Sequence, residues 1–261
     1  METLTGRDLK SGGLLESLLR LMDSKHHWFW DHLNSPATTR AQLLVHFQQE
    51  WEVYVRDFPL FLRRVHDRCP HPDVRDAIAG NIAEEERGAV SGAGPHSELF
   101  LYMMEGLGFS RSQFLGVRLL PEAAAYRRWL DDATTAYWLV GAAVTMVFVE
   151  GSVEDRAEVN GNNGGGEPPD LSCHPLVVHH GLDPRYLELK RVHRLVESGH
   201  RHDAYRAVVG HARTSSDRRA VRAAVSRSLS LWKQYREAVA LRCLPRARVS
   251  ERPALSRERR A

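Results

Sequence analysis

Residues 188–205 read ELKRVHRLVESGHRHDAY. The stretch lacks proline and is dominated by charged residues and leucine, a composition that favours helix. On a helix, the steps of four and three from His193 to Glu197 to His200 put all three side chains on one face, one turn apart. Two imidazoles and a carboxylate on one face suit iron or another first-row metal. The apolar residues of the same segment, Leu187, Leu189, Val192 and Leu195, can equally form the core face and leave the three polar groups in solvent.

Working outward, residues 137–150 read YWLVGAAVTMVFVE. This helix is apolar nearly all round, so it should be the most buried element. Its uncharged run, 137–149, is too short to cross a bilayer. Leu14, Leu15, Leu18, Leu19 and Met22 mark a first helix over about 13–32. Ser35-Pro36 breaks the chain before a second helix from about Thr39, striped by Leu43, Leu44, Phe47, Trp51, Tyr54, Val55 and Phe58 and kinked by Pro59. Further helices follow over about 74–87, 96–107, 121–132, 184–200 or beyond, and 217–241, with a short linker helix at Ser110. Residues 161–170, GNNGGGEPPD, read as a loop. Strand-like alternation is nearly absent. The expectation is a single all-α bundle over residues 1–243, followed by an Arg-rich disordered tail, 244–261.

The 261 residues carry a net charge of +3, but six arginines against two glutamates in that tail give +4 and leave the body at −1. The alkaline character therefore belongs to the tail, and no basic face points to a nucleic-acid partner. Three widely spaced cysteines form no C-x-x-C pair, which argues against a disulfide framework or structural zinc. A polar start without a visible signal segment, and no membrane span, give a cytoplasmic expectation. Histidine is abundant, at 14.

Three further positions carry chemistry. Glu150 ends the apolar helix, where an unpaired carboxylate would cost several kcal/mol, so it should meet a cation or reach water. Glu84-Glu85-Glu86 precedes His96 by about ten residues, and the Gly-rich break between them would let one Glu and the His approach from consecutive helices. Glu50, beside the Phe47/Trp51/Tyr54 stripe, is favoured over Glu52 on the second helix.

The segments HHWFWDHLNSP (26–36), QEWEVYVRDFPLFL (49–62), NIAEEERG (81–88), PHSELFLYMMEGLGFS (95–110), FVEGS (148–152) and HPLVVHHGLD (174–183), with 188–205, resemble the haem-oxygenase-like diiron oxidases and oxygenases, relatives of the TenA and PqqC proteins. The resemblance implies a seven-helix bundle and two Fe(II) ions, with O2 as co-substrate. It implies metal ligands at Glu50, Glu86, His96, Glu150, His193, Glu197 and His200. Glu197 stands where the family has Asp, and Glu85 rivals Glu86. The implied activity is an O2-dependent oxidation of a small amine, amino acid or carboxylate, in a protein that often dimerises. Trp51, Tyr54, Trp138 and Phe148, with Arg56 or Lys190, are the expected pocket residues. Rival readings are a cofactorless PqqC-like oxidase and a helical regulatory protein. Thiamine cleavage is disfavoured, because no cysteine falls on 144–148.

Overall fold

The computed structural model describes residues 13–161 and 170–244, with backbone only at 195–200. Twelve α-helices and no strand occur among the described residues. They are α1 (Leu14–Met22), α2 (Phe29–Leu33), α3 (Arg40–Glu50), α4 (Phe58–Arg68), α5 (Pro72–Arg87), α6 (His96–Gly106), α7 (Pro121–Thr135), α8 (Trp138–Ala142), α9 (Asp155–Val159), α10 (Pro175–His180), α11 (Glu188–His211) and α12 (Ser215–Cys243). The all-α bundle matches the expectation. The count differs from seven because proline, glycine and wide turns divide the long sequence patterns into shorter pieces.

Two of these divisions matter for function. The helix that begins at α3 does not kink at Pro59. It widens into a π-helical stretch, Trp51–Val55, and Pro59 sits in the first turn of the new helix α4, where a proline's missing N–H costs nothing. The apolar helix α8 likewise passes into a π-helical stretch, Ala143–Val149, and ends at Glu150. The Arg56 N–H donates to Trp51 O at 3.1 Å and the Glu150 N–H to Thr145 O at 3.2 Å, both five residues back. Each added residue turns the following side chains by about 100° relative to an α-helix, so such turns re-aim them, and they cluster at functional sites.

The core is one continuous cluster, with Val144, Val147 and Phe148 fully buried in it. The central π stretch packs between α11 and α12. Along α12, Val221, Ala224, Val225, Ser228, Leu229, Trp232, Tyr235, Arg236, Val239 and Ala240 are buried at helical spacing, so one face meets α7, α1 and α3. Capping boxes set two helix starts: the Thr39 N–H donates to Gln42 Oε1 at 2.8 Å, and the Thr214 N–H to Asp217 Oδ2 at 3.0 Å. No helix among the described residues is long and apolar enough to cross a membrane. Residues 1–12, 162–169 and 245–261, including nearly all of the Arg-rich tail, lie outside the described residues.

Candidate functional site

A cavity of about 250 Å³ opens between the π stretches, α5, α6 and α11. Glu50, Glu85, Glu150, His96 and His193 line it, beside the apolar walls Phe47, Phe58, Phe100, Met103, Val149 and Leu189. Lys190 and Arg201 also reach it.

The α5–α6 corner is the best-organised part. Glu84 is fully buried and accepts the N–H groups of Val90 at 2.6 Å and Ser91 at 3.2 Å, which folds the Gly-rich turn back onto the helix end. The turn needs Gly88 at φ 61°, where a Cβ would lie 2.4 Å from the backbone nitrogen of Gly94. His96, the first residue of α6, then lies between two carboxylates, with Nε2 3.3 Å from Glu84 and Nδ1 3.0 Å from Glu85. Burial opposes protonation of this imidazole, but the two carboxylates outweigh burial and raise its pKa. A histidine that holds a buried carboxylate on one nitrogen and faces a second carboxylate with the other is the arrangement by which imidazole ligands are oriented toward metals.

Glu86 points away. It pairs with Arg63 on the outer surface and does not line the cavity. The structure therefore puts Glu85, and not Glu86, beside His96. The cause is helical register: Val74, Ile78, Asn81 and Glu84 are the buried stripe, Glu85 lies beside it at the cavity, and Glu86 lies a further step of about 100° around.

Glu150 accepts a hydrogen bond from Asn81 Nδ2. Lys25 fixes the chain end that presents it, donating from Nζ to the carbonyls of Phe148 and Gly151, each at 2.5 Å, and of Val149 at 3.1 Å. A lysine on the last carbonyls is a favourable helix terminus. Glu50 is held by three side chains. It takes hydrogen bonds from Arg236 Nη2 at 2.8 Å and from the Tyr54 hydroxyl, and lies 3.3 Å from His46 Nε2. Burial would raise its pKa, but Arg236, His46 and Tyr54 hold it well below the usual carboxylate range. Glu52 instead faces Arg56 at 2.7 Å and does not line the cavity.

The His193 ring stands 5.2 Å from that of His96. Burial, then the nearby Lys190, His96 and Arg201, push its pKa down to about 3. It is therefore neutral at physiological pH, the form that binds metals. The backbone of Glu197 and His200 continues the same helix, and their side chains lie outside the described residues.

Among the pocket residues expected from sequence, Tyr54 and Lys190 line the cavity. The others do not: Trp51 stacks on Phe100 at 5.6 Å, Trp138 packs on His71, Phe148 is wholly buried beneath Lys25, and Arg56 faces Glu52 and Asp57. Sequence reasoning missed Arg236, His46 and Arg201, and it left Glu84 in the three-Glu run without a role of its own. Arg236 is 2% exposed and sits among Trp30, Trp232 and Tyr235. Its signal was available, because it lies on the buried stripe of α12 beside Trp232 and Tyr235.

Two inward carboxylates and two imidazoles, Glu85, Glu150, His96 and His193, give a donor set whose chemistry fits iron or a similar divalent ion. Glu50 is the least available donor, because Arg236 already neutralises it. Among the described residues, the cavity donors surround the space rather than meet at one point. Three donors within 4.8 Å of one another occur instead at His71, Asp73 and His211, outside the cavity.

The fold is shared with a TenA homologue from Pseudomonas syringae pv. tomato, with a TM-score of 0.67 at 14% identity over 92% of this chain and 98% of that one. A CADD-like protein of unknown function from Nostoc punctiforme follows, with a TM-score of 0.54 at 15% identity over 90% and 95%. At these identities the likeness shows the fold alone. Residues 45–233 match the iron-containing redox enzyme family, and the chain belongs to it. A curated relative, the 4-aminobenzoate synthase of Chlamydia muridarum, is 26% identical over 144 residues. That match covers 52% of this chain and 58% of the relative, so it spans little more than half the relative's length.

Proposed function

We propose that the protein is a non-haem diiron enzyme that activates O2 to oxidise a small amine, amino acid or carboxylate. The observation that carries this reading is the gathering of Glu85, His96, Glu150 and His193 around one mainly apolar cavity. Carboxylates facing a shared interior space repel one another, and bound cations offset that repulsion. Family membership supports iron. The name of the Chlamydia relative supports a small aromatic amine or carboxylate as the chemical class.

Bound ferrous iron would supply the electrons that reduce dioxygen. Glu85, His96, Glu150 and His193 would hold it, together with Glu197 and His200 on the same helix as His193. Glu84 orients His96 and keeps a proton on its outer nitrogen. Arg236, Tyr54 and His46 fix Glu50 at the cavity wall. Phe47, Phe58, Phe100 and Met103 exclude water, and the space is about that of eight water molecules, enough for a ligand of amino-acid size. Lys190, exposed on α11 at the cavity, is placed to meet a substrate carboxylate. Thiamine cleavage has no nucleophile in this cavity, since none of Cys69, Cys173 and Cys243 lines it. We place the protein's action on a small molecule, without nucleic acid or membrane.

The test is O2 uptake after anaerobic ferrous loading, with and without small amines and carboxylates. The expected result is uptake accelerated by at least one of them, lost in E85A and H193A and kept in E86A. Uptake that is absent at every loading, or equal in E85A and wild type, overturns the proposal.

A further inference from the structure

Away from the cavity, His71, Asp73 and His211 bring three donor atoms within 4.8 Å of one another. His71 precedes the first turn of α5, Asp73 lies in that turn, and His211 is the last residue of α11. The two imidazole rings have centroids 4.1 Å apart, and His211 Nε2 is 3.2 Å from Asp73 Oδ2. None of the three lines the cavity. The His211 side chain is only 13% exposed, and the nitrogen it turns to Asp73 is Nε2. Trp138 closes one side, with its ring 5.1 Å from His71 and 5.8 Å from His211.

We infer that His71, Asp73 and His211 form a second metal site, separate from the cavity, for a single borderline divalent cation, zinc foremost. Two histidine nitrogens and one carboxylate oxygen are a common zinc donor set with a fourth position left for water. Donors around a tetrahedral zinc lie about 3.3–3.5 Å apart, given bonds of about 2.0–2.2 Å. The Asp73–His211 pair is already at that separation, and the 74% exposed Asp73 side chain is free to swing the remaining distance. The carbonyl end of α11 favours a cation at this point, while the N-terminus of α5, which carries His71 and Asp73, opposes it. A cation here ties the α4–α5 turn to the end of the helix that carries His193, so it acts as a staple. It binds without redox chemistry.

The test is titration of metal-stripped full-length protein with Zn(II) by calorimetry and with Co(II) by visible absorption. The H193A and E85A variants, which remove cavity donors, should keep one binding event. D73N and H211N should weaken that event at least tenfold. Cu(II) should quench Trp138 fluorescence, and the quenched amplitude should vanish in W138F. If H211N fails to fold, the exposed D73N still decides the matter. Affinity and stoichiometry unchanged in D73N, or the event lost in H193A and E85A, overturn the inference. Both readouts are independent of O2 uptake, so this site and the iron reading can fail separately.

Discussion

Arg236→Met should destabilise the metal-free protein by about 3–5 kcal/mol, because it removes the full cation bonded to the buried Glu50 carboxylate. Arg236 is 2% exposed, and the Glu50 side chain 13%. Two of the guanidinium's donors are lost from Glu50 and Tyr54 together, at 2.8 and 3.0 Å. What remains is an anion whose remaining partners, the Tyr54 hydroxyl and the His46 imidazole, carry no full charge. For a chain of this size that cost lowers the melting temperature by roughly 10 °C. Glu50→Met alone should cost a similar amount by stranding the guanidinium. The double variant, with both charges replaced by apolar groups of similar volume, should return to within about 2 kcal/mol of wild type. Chemical denaturation of all four proteins closes the cycle. Single variants that cost less than about 1 kcal/mol, or a double variant whose cost is the sum of the singles, would refute the reasoning.

Glu84→Ala should cost about 2–3 kcal/mol, because it orphans two backbone N–H groups and one face of His96, whereas Glu86→Ala on the surface should stay within about 0.5 kcal/mol; urea midpoints compare them. Gly141→Ala should cost about 1–3 kcal/mol, since the new Cβ would stand 2.7 Å from Val65 Cγ2 and 3.2 Å from the Ala133 carbonyl, and thermal unfolding measures it. His174 caps α10 by accepting the Leu176 N–H at 3.2 Å, which only a neutral ring can do. Burial, then Lys190 and Arg194, hold its pKa down to about 4, below the value of about 6.5 in the unfolded chain. Because the folded value is the lower one, this contribution is complete above about pH 6.5 and is lost as pH falls toward 4. After allowance for solvent screening it amounts to about 1–2 kcal/mol. H174S keeps a cap acceptor that does not titrate, so its stability should fall less steeply than wild type over that window.

The helices were legible in the sequence because their apolar residues are strongly marked: 14–22 and 43–58 are striped at helical spacing, and the α8 segment is apolar nearly all round. Helix ends and the two π stretches were not, since propensity does not distinguish an i to i+5 turn from an α-helical one. Those turns decide how Glu50 and Glu150 are presented. The stripe Val74, Ile78 and Asn81 runs on to Glu84, with Glu85 beside it and Glu86 outside; the E-x-G pattern with a His ten residues on, which the family resemblance implies, selects Glu86 instead. Arg236 is legible only through its place on the stripe with Trp232 and Tyr235, because a lone arginine on a long polar helix otherwise reads as solvated.

The central claim is that cations sit among the cavity donors. A crystal structure of ferrous-loaded protein, with anomalous difference maps recorded at the iron absorption edge, tests it most directly. Two iron peaks beside Glu85, His96, Glu150 and His193 are expected. Peaks confined to His71, Asp73 and His211, or a cavity whose carboxylates keep their metal-free partners unchanged after loading, would contradict it.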